Sequence, residues 1–206
     1  MIRLLTSPEE KILEAAKAVF VKKGFEAATM SDIAKEAGIS RTALNYYYRT
    51  KDNLFEAIFG QLVQRFLPRL EQVADTPLPF LEKIEMITTQ YINLLMESPL
   101  LPMFIVSEVN RDAEHLFEVV KKLKENDYTI FKIVTQINDE MEKGLLRKMP
   151  LIDIVTTFIG VTVFPVLARN LINILFMEGS DEKFFAYFKE RKALVVEVMK
   201  GLLEPR

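Results

Sequence analysis

The chain has 206 residues, half of them hydrophobic, a formal net charge of −2, no Cys, no Trp and one His. The absence of Cys excludes disulfides, thiolate metal sites and cysteine nucleophiles, and one His is too few for a His-rich zinc site. A Ser-His-Asp triad would have to use His115, and no G-x-S-x-G pattern occurs. A net charge near zero excludes a protein that is basic all over, but it allows a basic patch on one face.

Targeting and membrane signals are absent from the sequence. The N-terminal apolar stretch is too short for a signal peptide, and acidic residues follow it at once. The longest uncharged apolar run, residues 154–168, has 15 residues, fewer than the roughly 18–20 that a membrane-spanning helix needs. We therefore expect a cytoplasmic protein in which this run is a buried helix.

The first helix is predicted from its capping residues. Ser7 is a suitable N-cap because Pro8 follows at the first helical position and Glu10 completes a capping box. Apolar residues then recur at helical spacing, and Gly24 is a suitable C-cap. These signals predict a helix over residues 8–23.

Three more helices follow within short distances. Thr29 begins a second capping box, and Gly38 ends the short helix that it starts. Ser40 caps a third short helix, and Thr50 caps a fourth that extends to about Pro68 or a little beyond.

The rest of the chain has the same periodicity in longer stretches. Five further helices are predicted, at about 78–97, 100–109, 112–143, 150–177 and 181–203. Pro165 is expected to kink the fourth of them. Because no alternating pattern competes with these helices, the fold is predicted to be all-α, with about nine helices.

The segment 29–51 has the arrangement of a helix-turn-helix. Two short capped helices meet across Gly38, which permits a tight turn, and Ala34 is small where the helices approach each other. Ile33 and Leu44 would form part of their shared core. In such a unit the second helix enters the major groove of DNA.

The charge distribution supports this interpretation locally. Residues 1–60 carry nine Lys or Arg and eight Asp or Glu, whereas residues 61–206 carry 18 and 21. Within 40–51 there are three basic residues and no acidic one. Phosphate binding requires cations and hydrogen-bond donors, and here they are concentrated.

The residue types of this segment resemble the DNA-binding region of the TetR family of bacterial transcriptional regulators. That family's pattern is approximately T-x-x-D-I-A-x-x-A-G-V-S-x-x-x-L-Y-x-H-F-x-x-K-x-x-L. The matching residues include Thr29, Asp32, Ile33, Ala34, Ala37, Gly38, Ile39, Ser40, Leu44, Lys51 and Leu54. The resemblance covers about residues 8–60. It implies a helix-turn-helix domain over 1–52 and an effector-binding and dimerisation domain over 53–206.

The resemblance also implies which residues contact DNA. They are Thr29, Ser31, Arg41, Thr42, Asn45, Tyr46, Tyr47 and Lys51. Thr29 would contact a phosphate, cap the second helix, or do both, and Lys51 would meet a phosphate at the start of the fourth helix. Asn45 departs from the family pattern, which has Tyr there. Because Asn suits a bidentate pair with adenine, we hypothesise that Asn45 reads a base.

The larger C-terminal region would serve dimerisation and effector binding. The resemblance implies that the last two long helices pair with their copies in a homodimer. The candidate ligand-lining residues are Met86, Tyr91, Met103, Phe104, Tyr128 and Phe131. Aromatic and Met residues at helical spacing are more often ordinary core. The scarcity of ionisable residues in the apolar stretches favours a largely apolar effector.

The sequence therefore predicts a ligand-responsive repressor that binds a palindromic operator as a homodimer, without cofactor or metal. A helical small-molecule carrier or interaction protein that binds no specific DNA is the alternative. An all-α enzyme is least favoured, because the Asp and Glu residues are scattered beside Lys and Arg rather than clustered.

Overall fold

The computed structural model describes residues 7–123 and 128–205. This described part of the chain contains ten helices and no strand, which confirms the predicted all-α fold. The helices are α1 (Pro8–Lys23), α2 (Met30–Glu36), α3 (Arg41–Tyr47), α4 (Lys51–Ala74), α5 (Phe80–Glu97), α6 (Leu101–Leu123), α7 (Thr129–Glu142), α8 (Leu151–Leu167), α9 (Arg169–Phe176) and α10 (Asp181–Leu203).

The first and the last helix have the bounds that their capping residues predict. The Ser7 hydroxyl accepts a hydrogen bond from the Glu10 N–H at 3.1 Å, and Gly24 ends α1 with a φ of 77°. Ser180 caps α10 in the same way, accepting from the Lys183 N–H at 3.2 Å. Local side-chain chemistry therefore determines where these helices begin.

Two local features set the bounds of the helix-turn-helix, a capping box at the start of α2 and a glycine turn between α2 and α3. At the start of α2, Thr29 and Asp32 satisfy each other's backbone N–H groups, at 3.1 Å in both directions. Between α2 and α3, Gly38 has a φ of 68°, in the region that favours glycine. The N–H of Ile39 then donates to the Ala34 carbonyl at 3.0 Å, so that α3 starts in a new direction.

Helix α4 continues past Pro68, as the sequence allows. It continues to Ala74 with Pro68 inside it, although a proline inside a helix costs about 3 kcal/mol because it lacks the N–H. Leu67, Leu70 and Val73 are all buried around this point. Packing of their side chains offsets the cost, and this contribution is not visible in local sequence.

The central helices differ from the prediction. Helix α6 covers the predicted 100–109 helix and continues past Asp112, whose non-helical φ of −157° and ψ of 83° lie at the expected break. The Asp112 carboxylate caps the second part of α6 by accepting from the His115 N–H at 2.9 Å. The predicted continuous helix over 112–143 is wrong, because Tyr128 is non-helical immediately before α7. Residues 124–127 of that prediction lie outside the described residues.

The predicted helix over 150–177 is also divided. Its break falls at Ala168, between α8 and α9, whereas Pro165 remains inside α8. Pro165 cannot donate to the Val161 carbonyl, four residues earlier, because it has no N–H. The Arg191 side chain supplies the missing donor, with its Nε 3.1 Å from that carbonyl oxygen. A residue distant in sequence therefore replaces the hydrogen bond that the proline lacks.

The chain divides into two compact units whose boundaries lie between Gln64 and Arg65 and between Pro99 and Leu100. The first unit contains α1, α2, α3, the whole of α6 and the part of α4 up to Gln64. The second unit contains the rest of α4 and the other helices. This division differs from the predicted boundary between residues 52 and 53. The reason is that Phe55 and Phe59 of α4 are buried in the core of the first unit, together with Phe104 of α6. The Phe104 ring lies 5.0 Å from that of Phe55.

The second unit has two apolar clusters. One joins α5, α7, α8 and α10, and the other joins α5, α8 and α10 through residues such as Ile92, Val163 and Phe188. Within the described residues, no single helix is both long and apolar enough to cross a membrane. Two bent pairs meet the length and composition requirement only when taken together, α5 with α6 and α8 with α9.

Candidate nucleic-acid interface and ligand cavity

Helix α3 presents a polar and aromatic face to solvent. Arg41, Thr42, Asn45 and Tyr46 are exposed and recur at i, i+1, i+4 and i+5, which places them on one side of the helix. Tyr46 is 85% exposed, which is far more than core packing requires. An exposed face with one cation, two hydrogen-bonding side chains and an aromatic ring has the chemistry needed to contact DNA.

The three consecutive tyrosines have different surroundings. Tyr46 and Tyr47 contact each other edge to face, with ring centroids 5.4 Å apart, and both are exposed. Tyr48 is buried, and its hydroxyl donates to Glu9 Oε1 at 2.7 Å. Burial, together with this neighbouring carboxylate, raises the pKa of Tyr48 far above its ordinary value. Tyr48 therefore ties α3 to α1, and the first two tyrosines remain accessible.

The start of α2 carries two more of the residues predicted to contact DNA, Thr29 and Ser31. Thr29 is exposed and caps the helix, and its hydroxyl donates to Asp32 Oδ2 at 2.7 Å. Lys23 donates to the other carboxylate oxygen of Asp32 at 2.7 Å. These hydrogen bonds, that of Lys23 first, lower the pKa of Asp32 to about 2. Ser31 is exposed in the first turn.

Lys51 has a role within the fold that the sequence did not reveal. Its Nζ donates to the carbonyl oxygens of Phe25 and Glu26, at 2.7 and 3.0 Å, and lies 4.8 Å from the centre of the Phe25 ring. An ammonium group has three N–H donors, so that one remains for another acceptor. Helix α4 begins beside it, with Thr50 accepting from the Asn53 N–H at 3.1 Å.

A cavity of about 250 Å³ lies inside the second unit. Its walls are side chains of α4, α5, α7, α8 and α10, and those that the structure describes are aliphatic or aromatic apart from Met199. The Tyr91 ring contacts Phe66 and Phe158, with ring centroids 5.7 and 5.3 Å away. Burial raises the pKa of Tyr91 to about 12, so its phenol stays neutral. Three of the lining residues, Ile130, Val155 and Ile159, are also exposed and mark an opening.

The six predicted ligand-lining residues are not brought together. Of these, Tyr91 lines the cavity, whereas Met86 is half-buried outside its walls. Phe104 belongs to the core of the first unit, and Met103 is exposed there.

The other two predicted residues, Tyr128 and Phe131, are about two-thirds exposed. Phe131 borders a separate open groove beside α7. The cavity walls consist instead mainly of Ile, Val, Leu and Phe residues, which the sequence does not distinguish from ordinary core.

Helices α8 and α9 expose an apolar surface, which we call the α8–α9 face. It consists of Ile152, Phe164, Leu171, Ile174 and Phe176, each between 59% and 74% exposed. Isolated exposed apolar residues are normal, but a concentration of large ones marks an interaction surface. Among the described residues, no cluster of His, Cys, Asp and Glu is arranged to hold a metal ion.

The first part of the chain matches a family of known regulators. The family model described as "Bacterial regulatory proteins, tetR family" matches residues 12–58. The probable HTH-type transcriptional regulator YttP of Bacillus subtilis is 22% identical over 198 residues, which are 94% of this chain and 95% of that protein. The HTH-type transcriptional repressor KstR2 of Mycolicibacterium smegmatis is 30% identical over 78 residues, 38% of each chain.

Solved structures share the fold over nearly the whole chain. The ketosteroid transcriptional regulator KstR2 of Mycobacterium tuberculosis matches with a TM-score of 0.70 and 19% identity, covering 98% of both chains. A HlyIIR mutant protein matches with a TM-score of 0.66 and 18% identity, covering 97% of this chain and 98% of that one.

Proposed function

Because the chain belongs to the TetR family of bacterial regulatory proteins and is a DNA-binding transcriptional regulator, we propose that it is a ligand-responsive repressor. In this proposal it is a cytoplasmic homodimer, and two copies of α3 bind the two halves of a palindromic operator. A largely apolar effector binds in the cavity of the second unit and releases the DNA.

The proposed DNA binding rests on the exposed face of α3. Arg41 and Thr42 lie at its N-terminal end, where a recognition helix contacts base edges, and Asn45 lies one turn later. Thr29 and Ser31 at the start of α2 and Lys51 at the start of α4 are the proposed phosphate contacts. Tyr46 and Tyr47 would contact the backbone or bases through their rings and hydroxyls.

The α8–α9 face supports a homodimer. One helix-turn-helix contacts only a short half-site, and a two-fold dimer places a second one about one DNA turn away. The exposed Ile174 and Phe176 belong to α9, while Leu194 and Val198 of α10 are partly exposed. The proposed interface therefore consists of surfaces of α8, α9 and α10, which cover the two long helices, 150–177 and 181–203, that the sequence indicated.

The size and walls of the cavity indicate the kind of effector. A cavity of about 250 Å³ is larger than the roughly 150 Å³ that accommodates benzene in an engineered apolar cavity, but smaller than the roughly 300–1,000 Å³ of pockets for drug-sized ligands. Among the residues that the structure describes, no charged side chain lines it, so a charged group inside would lose its hydration without compensation. We infer a flexible hydrocarbon chain or a small apolar ring, rather than a rigid molecule of several fused rings.

Helix α4 provides a route from effector to DNA. It contributes Phe55 to the core of the first unit, and Phe66 and Leu70 to the cavity wall of the second. An effector releases DNA only if it binds more tightly to the conformation that does not bind DNA. We propose that an occupied cavity displaces the C-terminal part of α4 and thereby changes the separation of the two α3 helices.

A selection experiment tests the proposal. The protein is incubated with a random-sequence duplex pool, the bound duplexes are sequenced, and dodecan-1-ol is then added to the complex. We expect a palindromic consensus, release of the DNA by dodecanol, and a higher unfolding temperature with dodecanol. Val134→Trp, which fills the cavity, should still bind the consensus but no longer respond to dodecanol. Binding without any sequence preference at physiological salt would contradict the repressor and favour a carrier.

A further inference from the structure

Helix α6 carries a buried ion pair within the first unit. Glu108 is 2% exposed, and both of its carboxylate oxygens accept hydrogen bonds from the Arg111 guanidinium. The bond from Nε measures 2.9 Å, and Nη2 donates to the other oxygen. Such a bidentate arrangement fixes the plane and direction of the guanidinium. The Glu108 carboxylate raises the already high pKa of Arg111, which therefore stays charged.

Arg111 also contacts the connection between α1 and α2. Its Cζ lies 4.1 Å from the centre of the Phe25 ring, and its Nη1 donates to Glu26 Oε1 at 3.3 Å. Phe25 and Glu26 lie just after Gly24, which ends α1, and just before the exposed Thr29 that caps α2. The side chain from α6 therefore reaches the segment that leads into the helix-turn-helix.

Lys51 of α4 contacts the same segment. Its Nζ donates to the carbonyl oxygens of Phe25 and Glu26 and lies 4.8 Å from the Phe25 ring centre. Both helices thus place a cation against Phe25. The α1–α2 connection is therefore contacted by α6 as well as by α4.

His115 completes this group of charges. Its Nδ1 lies 3.2 Å from Glu108 Oε1, and its ring centroid lies 5.2 Å from that of Phe55 in α4. His115 lies in the first turn after the Asp112 cap. Its contact with a buried carboxylate is a feature that only the tertiary structure provides.

We propose that Arg111, held by Glu108, is a positioning residue for DNA binding. By contacting Phe25 and Glu26, it keeps the α1–α2 connection where Thr29 and Lys51 can both reach phosphates. The proposal rests on the proposed DNA interface, because Arg111 acts through those two residues rather than on DNA. It also gives α6 a direct part in holding the DNA-binding helices.

Substitutions of Arg111 and Glu108 distinguish a positioning role for Arg111 from a direct electrostatic attraction between Arg111 and DNA phosphates. If Arg111 simply attracted phosphates, Arg111→Lys would keep that attraction, and removing the acidic Glu108 would strengthen binding. A positioning role predicts the opposite for both changes, because Lys lacks the planar fork and Gln lacks the charge that orients it. Glu114→Gln removes the same charge from an exposed position of the same helix and is the matched control.

The first measurement is hydrogen exchange of the free protein. In Arg111→Lys and Glu108→Gln, amides of residues 25–29 should exchange about tenfold faster, the factor typical of losing a hydrogen bond to a charged group. Glu26→Gln, at an exposed site, should give a smaller increase without endangering the fold. Glu114→Gln should leave this segment unchanged. Wild-type exchange in both Arg111→Lys and Glu108→Gln would overturn the positioning role, whether or not DNA binds.

The second measurement is affinity for a duplex selected from the random-sequence pool. Arg111→Lys and Glu108→Gln should each bind it about tenfold more weakly than Glu114→Gln does. Faster exchange with unchanged affinity in both variants would also overturn the proposal. If the wild-type protein selected no duplex, the proposed repressor function would fail, and the exchange result would still decide whether Arg111 positions the connection.

Discussion

Asn45 is the exposed side chain of α3 whose amide can distinguish one base pair from another. Its neighbours Arg41 and Tyr46 can serve phosphates as well as bases, whereas an amide suits a bidentate pair with adenine. The TetR-family pattern has Tyr at this position, so this chain would read its operator differently there. The structure leaves Asn45 exposed, and base reading by Asn45 remains a hypothesis.

Asn45→Ala should weaken binding to the selected duplex by about tenfold, since a good bidentate pair contributes about 1–3 kcal/mol of discrimination. Binding to a scrambled duplex should not change, because phosphate contacts are unaffected. Fluorescence anisotropy with both duplexes measures the two affinities. An equal loss on both would show that Asn45 contributes to general affinity and does not read a base.

Lys51 combines a structural role with a proposed DNA contact. Lys51→Ala should lower affinity for the selected and the scrambled duplex by similar factors, and reduce the salt dependence of binding by about one phosphate contact. It should also destabilise the first unit by about 1–3 kcal/mol, because two carbonyls lose a charged donor. Salt titrations and urea unfolding measure these effects. A loss confined to the selected duplex would contradict the phosphate role.

At the scale of helices, two prolines lie inside helices that continue past them. Pro68 lies within α4 and Pro165 within α8, although each removes a hydrogen bond from its helix. For Pro165 the compensation is specific, because Arg191 of α10 donates to the carbonyl that the proline leaves without a helical donor. Arg191 also donates to the Tyr187 hydroxyl at 2.8 Å, which holds its guanidinium in place.

A double-mutant cycle tests this compensation. Arg191→Met should destabilise the protein by about 1–2 kcal/mol, because the Val161 carbonyl and the Tyr187 hydroxyl lose a charged donor. The loss should be smaller in a Pro165→Ala background, where alanine restores the helical N–H for Val161. Urea unfolding of the four proteins gives the coupling free energy. Equal losses in both backgrounds would show that Arg191 does not compensate for Pro165.

At the scale of the whole molecule, the division of charge matches the proposed division of labour. Three basic residues and no acidic one lie within 40–51, while residues 61–206 carry the excess of acidic residues. A protein of net charge −2 can therefore bind DNA through a small basic surface. The second unit instead combines an apolar cavity with the exposed α8–α9 face.

A substitution of Ile174 tests the proposed homodimer. Ile174→Glu places a charge on the α8–α9 face and should convert the dimer to a monomer, because burying an unpaired carboxylate is costly. Operator affinity should then fall strongly, as only one half-site is contacted. Leu145→Glu, at an exposed apolar residue between α7 and α8, is the matched control and should stay dimeric. Sedimentation equilibrium measures both, and a dimeric Ile174→Glu would place the interface elsewhere.

The sequence by itself determined the helix-turn-helix. Its helices begin and end at capping residues that act within three or four positions, as at Ser7, Thr29, Gly38 and Ser40. The residues of α3 expected to contact DNA came instead from the family resemblance, and Arg41, Asn45 and Tyr46 among them are exposed. The family model matches residues 12–58, which confirms the resemblance. The motif residues that carry the resemblance lie in this short, locally specified segment.

Only the tertiary structure decided which helices form each unit and where the cavity lies. Phe104 belongs to the first core, and Arg111, held by Glu108, contacts Phe25 and Glu26, although Arg111 and Glu26 are 85 positions apart in the chain. The Ile, Val and Phe residues that line the cavity have the same sequence pattern as fully packed core. The physical reason is that capping and helical periodicity are local, whereas packing and the space it leaves depend on side chains brought together from distant helices.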